Sequence, residues 1–419
     1  MCLVYDTERL EDFWNYLPFP TVWAPLGFPM PLTALFKLFL LLVSLVVLAA
    51  AGWLIWSWWD GRLVPGADGE GPVLVRDAWR LWVAGALLAW TLLGRLPATL
   101  LLARGDTDPS RPRREAGGHI AGANGSRLYV ERRGGGQGVP LVMTHGWGLD
   151  STIWDYASRD LGRTHPMIVW DLPGLGRSEA PADGIKLSAF ARDLKRVVEF
   201  SGPEPVVLVG HSIGGMAIQT LVRDHPDFVR ARVAGIVLIN TTYTNPLRTM
   251  VAAPLLLALQ KPFLEPMFHL MAWLQPLAWL GAWHGYLNGT AHLASRFGFG
   301  RYVTRSQLEH VTLLTTRNPP GIQARGNLAM FHWDATEALS GLDVPVLVLG
   351  GDRDIVTKPE ASCALASSAP AELEIVDGVN HMGFVERSDI YHYAIAAFVE
   401  RLSEPSRTLT GGDPRDWGG

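Results

Sequence analysis

Ser212 stands in Gly210-His211-Ser212-Ile213-Gly214, a G-x-S-x-G pattern, directly after the apolar run Val206-Val-Leu-Val209. A serine hydroxyl is a poor nucleophile until a base removes its proton, and that base must be oriented by a third group. Flanking glycines let the chain turn sharply from strand to helix. The turn raises the serine Oγ beside a helix N-terminus, where backbone N–H groups favour developing negative charge. A helical sequence does follow, from Met216 to about Asp224. Alone, the five residues are also what chance supplies in a chain with 44 glycines, an ordinary turn with an innocent serine. The chemistry needs partners.

His381, in Gly378-Val-Asn-His-Met-Gly-Phe384, follows the last β-type run and is the candidate general base among 12 histidines. Asp354, in Gly351-Asp-Arg-Asp-Ile-Val-Thr357, is the candidate orienting acid. Its rival Asp352 sits two residues earlier, where it is expected to bind backbone in the turn. His211 neighbours the serine but cannot fold back onto it, and reads as structural. In His145-Gly-Trp-Gly148 the backbone N–H of Trp147 could meet a bound carbonyl. With the N–H of Ile213 it would form a two-donor oxyanion hole. Asp171 reads as a turn cap. No His/Cys/carboxylate cluster has metal-ligand spacing, and no phosphate-cradling or dinucleotide motif occurs, so neither metal nor cofactor is implied.

These groups must be held at one edge of a sheet. Short β-type runs alternate with helical patterns from about Gly117, which predicts an α/β fold with a mostly parallel sheet. Arg127–Glu131 reads as an early antiparallel edge strand. Val139–Thr144 and Val206–Val209 read as buried strands, and Met167–Trp170, Val233–Asn240, Val344–Gly351 and Glu372–Val376 as further strands. A helix is predicted over Leu187–Phe200 and another over about Ser388–Arg401. Every polar motif above lies at a strand's carboxyl end, where ligands bind in such sheets.

The ordered set HGWG, DLPGLGRS, GHSIGG, GDRD and a late Asn-His resembles the alpha/beta-hydrolase superfamily, over about two-thirds of the chain. The resemblance implies an eight-stranded sheet and a Ser212–Asp354–His381 triad. It also implies oxyanion donors at Trp147 and Ile213, and a helical cap after the sixth strand. Relatives with an Asp nucleophile are set aside because this chain carries Ser212.

Outside the resemblance, the 419 residues are unusually apolar, with 18% charged residues, 48% hydrophobic ones and 17 tryptophans. From Leu38 to Trp59 no charge occurs, enough at about 1.5 Å per residue to cross a ~30 Å hydrocarbon core. Lys37 and the tryptophans from Trp53 to Trp59 would flank it as interfacial anchors. A second stretch, Leu81–Gly94 continuing through Leu96–Ala103, is predicted as a second span, weakened by Arg95 and Pro97. Arg104, Arg111, Arg113 and Arg114 follow it, which would place both termini and the catalytic domain on the cytoplasmic side. The net charge of −4 argues against nucleic-acid binding, and Cys2 and Cys363 supply no disulfide framework.

The expected organisation is an N-terminal segment (1–31), a membrane anchor (32–104), a hydrolase core (117–243 and 342–402), a cap (244–341) and a disordered tail (403–419). The cap is apolar, and Pro254, Pro262, Pro266 and Pro276 divide it into short helices. The expectation is a membrane-anchored serine hydrolase acting on carboxylic esters of hydrophobic or lipid-like molecules. Cleavage of a carbon–carbon bond, acyl transfer, and a non-catalytic receptor or scaffold are the alternatives. Oligomeric state is not legible.

Overall fold

The computed structural model describes residues 30–66, 71–123, 125–181 and 184–403. Residues 1–29 and 404–419, with most of the expected N-terminal segment and the tail, lie outside the described residues. Helix α1 (Met30–Asp60) takes up the uncharged run. The connection after it contains an antiparallel pair, β1 (Arg62–Val64) with β2 (Val73–Val75). Then come α2 (Trp79–Leu93) and α3 (Arg95–Leu102), bent by 63° at Gly94. By length and composition α1 alone could cross a bilayer, or two segments could if the bent pair counts as one span.

The main sheet has eight strands. They are β3 (Gly117–Ala121), β4 (Arg127–Arg133), β5 (Leu141–Thr144), β6 (Met167–Trp170), β7 (Val206–His211), β8 (Val233–Ile239), β9 (Val346–Gly351) and β10 (Ala371–Val376). Their order is β10-β9-β8-β7-β5-β6-β4-β3, and β5 to β10 run parallel. Most of these parallel strands are covered on both faces, so they read as continuous Val/Ile/Leu runs rather than alternating ones. β4 is antiparallel to both neighbours and sits second from the edge, not at it. The edge is β3, whose Gly117-Gly118 start carries no β signal.

Helices α4 (Asp155–Asp160), α5 (Leu187–Ser201), α6 (Ile213–Asp224) and α7 (Pro226–Arg232) connect the strands up to β8. On one face Phe190 and Leu194 of α5 meet Met216 and Ile218 of α6 over Leu208 and Val142. The cap follows the sixth strand of this sheet. It comprises α8 (Pro246–Thr249), α9 (Ala253–Leu259), α10 (Glu265–Trp273), α11 (Gln275–Leu287), α12 (Thr290–Arg296), α13 (Arg305–Arg317) and α14 (Pro320–Phe331). Five of these seven helices carry a proline within two residues of their start, where its missing N–H costs nothing. α15 (Pro359–Ser367), α16 (Gly383–Glu386) and α17 (Ser388–Ser403) complete the core, with Tyr391, Phe398 and Val399 of α17 filling the sheet's second face.

The N-terminal helices dock on the cap rather than standing apart. α1 contacts α11 and α12, and α3 contacts α12 and α13. The bend lies where Pro97 cannot donate to the Leu93 carbonyl four residues back, and Gly94 lets it pack closely on the cap: a Cβ there would lie 2.4 Å from the Asn288 carbonyl oxygen of the α11–α12 turn. Arg95, which weakened the second stretch as a span, reaches Glu309 and the Tyr286 hydroxyl at 2.8 Å each. Arg114 is likewise drawn into the core domain, paired with Glu131, Asp150 and Asp171, so it is not a free flanking charge.

Candidate active site

Ser212 occupies the turn between β7 and α6 with φ 52° and ψ −119°, a conformation non-glycine residues rarely adopt. The turn closes only because its neighbours lack side chains. A Cβ at Gly214 would sit 2.3 Å from the Thr144 carbonyl oxygen, and one at Gly210 would sit 2.6 Å from the Gly215 nitrogen. The strain is stabilised by Ser212 N donating to Ile239 O at 3.0 Å, which ties the elbow to β8.

From β9 and β10 come the other two predicted residues. His381 Nε2 lies 3.0 Å from Ser212 Oγ, and its Nδ1 lies 3.0 Å from Asp354 Oδ2. The Asp354 carboxylate is buried and accepts from Val356 N and Thr357 N at 2.8 Å, Thr357 Oγ1 at 2.8 Å and Asn240 Nδ2 at 2.9 Å. Burial alone would raise its pKa, but the facing His381 and these donors outweigh burial and hold it below its ordinary value. A carboxylate kept charged there fixes the Nδ1–H tautomer of His381, so Nε2 is free to accept the Ser212 proton. Asp352 does bind its turn, at the Gly378 backbone beside Asp377. Asp171 caps its loop through Ser151 N and Arg177 N.

His211 donates from Nε2 to the His381 carbonyl at 3.0 Å and packs 4.3 Å from the Phe384 ring. Burial, then the neighbouring His381, push its pKa well below the usual range, so it stays neutral and braces the loop that carries His381. His145 braces a second loop: its Nε2 accepts from Leu172 N at 2.9 Å, leaving Nδ1 to donate to Gly146 O. Trp147 follows in that loop, and its N–H meets no backbone carbonyl among the described residues. Ile213 opens α6, so its N–H is one of the donors a helix start leaves unpaired.

An alpha/beta hydrolase family profile matches residues 141–391, well over half of the chain. The chain belongs to the alpha/beta hydrolase family. It is 26% identical over 295 residues to a non-heme chloroperoxidase of Streptomyces lividans, covering 68% of this chain and 99% of that one. It is 28% identical over 284 residues to the polyketide synthase ThaQ of Burkholderia thailandensis, but spans only 12% of that protein's length. An esterase from Exiguobacterium antarcticum shares the fold, with a TM-score of 0.55, 20% identity, and coverage of 68% of this chain and all of that one.

Within this alpha/beta hydrolase, several site residues were not singled out in the sequence. Asn240 ends the strand next to the elbow, with φ 43°, and joins Asp354 to the Tyr391 hydroxyl at 3.0 Å. A polar residue closing an otherwise apolar strand was its one signal. Asn380 accepts from His381 N at 2.7 Å and Ile355 N at 3.1 Å, linking the loops that carry His381 and Asp354. Asn318 of the cap donates to Gly148 O and Leu149 O at 2.8 and 3.0 Å, holding the Trp147 loop. Beside Ser212 is a hollow of about 20 Å³ walled by Met216, Met250, Phe331 and Val356. A larger one of about 350 Å³ lies within the cap and does not touch Ser212.

Proposed function

We infer that this hydrolase is a membrane-anchored serine enzyme that cleaves carboxylic esters of hydrophobic, lipid-like molecules through an acyl-enzyme. The observation that carries the reading is the Ser212–His381–Asp354 chain, with both contacts at 3.0 Å. As Ser212 Oγ attacks the carbonyl carbon, its proton passes to His381 Nε2, and the buried Asp354 carboxylate stabilises the imidazolium. The backbone N–H groups of Trp147 and Ile213 donate to the oxyanion. Collapse expels the alcohol, which takes the proton from His381. Water then attacks the acyl-enzyme through the same base, releasing the acid and restoring Ser212.

Two features support an apolar substrate near a bilayer. The larger cap hollow is walled mainly by Met, Leu, Phe and Ala side chains. Val46, Trp56 and Trp59 of α1 and Trp82 of α2 are exposed, as is Leu280 of α11, which packs against both helices. Exposed apolar side chains on helices in mutual contact mark a membrane or partner surface. A panel of esters graded by acyl length is the test. Turnover that rises with chain length and vanishes in Ser212→Ala is expected; turnover of a vinylogous diketone with none of any ester would replace ester cleavage by carbon–carbon bond cleavage.

A further inference from the structure

The larger hollow is bounded by α10, α11 and α14, and its volume is about 350 Å³. A cavity of ~150 Å³ holds benzene, so this one has room for on the order of a dozen carbons. Ala278 and Ala282 of α11 leave the space open, Phe268 and Met271 of α10 wall it, and Ser44 of α1 also lines it. Ser44 is buried, and its Oγ accepts from Asn288 Nδ2 at 2.6 Å, which fixes α1 against the α11–α12 turn. The N-terminal helix therefore contributes to the cavity wall.

Trp147 and Asn327 border both this hollow and the small one beside Ser212. Trp147 is held in place: its indole N–H donates to Gln323 O at 2.9 Å, and a Cβ on Gly326 would lie 1.9 Å from its ring. Leu270 and Leu277 line the hollow yet are 53% and 59% exposed, so it opens at their level. Trp273, 78% exposed, lies on the same helix as Leu270. A mouth rimmed by bare leucine side chains suits lipid rather than water.

We propose that this hollow is a tunnel for one hydrocarbon chain, which threads in past Leu270 and Leu277 and reaches Ser212 between Trp147 and Asn327. α1 is then a wall of the substrate site as well as an anchor. The proposal rests on the acyl-hydrolase reading and narrows it to esters of a single long chain, because the fixed Trp147 leaves one narrow neck.

The test uses the full chain in lipid nanodiscs and p-nitrophenyl esters from acetate to palmitate. The readout is the ratio of kcat/KM for the decanoate to that for the acetate, with active sites counted by fluorophosphonate labelling so that misfolded protein does not enter. Ala282→Phe and Ser44→Phe, which fill the tunnel, are expected to lower the ratio at least tenfold. Leu280→Phe, on an exposed part of α11 outside the tunnel lining, should keep it. An unchanged ratio in both filling variants overturns the tunnel. A second arm titrates dansyl-undecanoic acid into Ser212→Ala protein with and without Ala282→Phe. Binding weakened at least tenfold by Ala282→Phe supports the tunnel even if no ester is turned over, an outcome that would remove the hydrolase reading alone. Unweakened binding counts against the tunnel whatever the turnover.

Discussion

Asn240 grips Asp354 with its amide and receives the Tyr391 hydroxyl on its carbonyl. It touches neither serine nor substrate, so its effect must pass through the carboxylate that orients His381. Asn240→Ala removes one stabilising donor and leaves the buried Tyr391 hydroxyl unpaired. The expected result is a kcat lower by about ten- to a hundredfold, or roughly 1.4 to 2.7 kcal/mol of barrier, with KM little changed. Steady-state kinetics on a soluble ester checks it; a rise in KM at constant kcat would instead place Asn240 in substrate binding. Asp354→Asn should cost more, about 10⁴ in kcat, because the amide no longer holds His381 in the required tautomer. These supporting side chains escape a reading of the sequence because Asn, Thr and Tyr at strand and helix ends serve turns just as often. Ser212, Asp354 and His381 were legible because glycines and strand ends mark the positions where such residues can meet.

The β7–α6 turn is held by backbone proximity, and this makes its glycines testable. Gly214→Ala would place a methyl group against the Thr144 carbonyl, which belongs to a central strand and cannot easily give way. Overpacking of this kind costs about 1–3 kcal/mol, so a lower urea midpoint and weakened activity are expected together. Helix α13 offers a pH-dependent counterpart. His310 is buried between Ser110 and Thr152, and burial lowers its pKa from 6.5 to about 4. The unfolded chain therefore binds a proton that the folded one refuses between those values, and stability falls as pH drops through that window. The loss is roughly 3 kcal/mol at most. Urea unfolding at pH 7 and pH 4.5 should show the fall, and His310→Gln should flatten it. At this scale the parallel strands and α5 were legible from apolar runs and helical periodicity. The β3 edge and the β1–β2 pair were not, since Gly117-Gly118 has no β propensity and β1 and β2 are only three residues each; the break at Gly94 was marked by Pro97 alone.

Across the whole molecule, the N-terminal helices and the cap form a joint surface. Ser44, Gly94 and Arg95 each meet a cap residue, so the composition boundary near residue 104 is not a boundary of packing. Sequence alone separated the two regions because apolar composition changes there, whereas side-chain pairing across it leaves no pattern. If α1 is a membrane span, the full chain should stay in the membrane pellet after carbonate extraction; release into the supernatant would count against anchoring. The central claim is more direct to test. Intact protein treated with a fluorophosphonate and mapped by peptide mass spectrometry should carry one adduct, on Ser212, and Ser212→Ala should carry none. An adduct that persists in Ser212→Ala, or that maps to another residue, would contradict the assignment of the nucleophile.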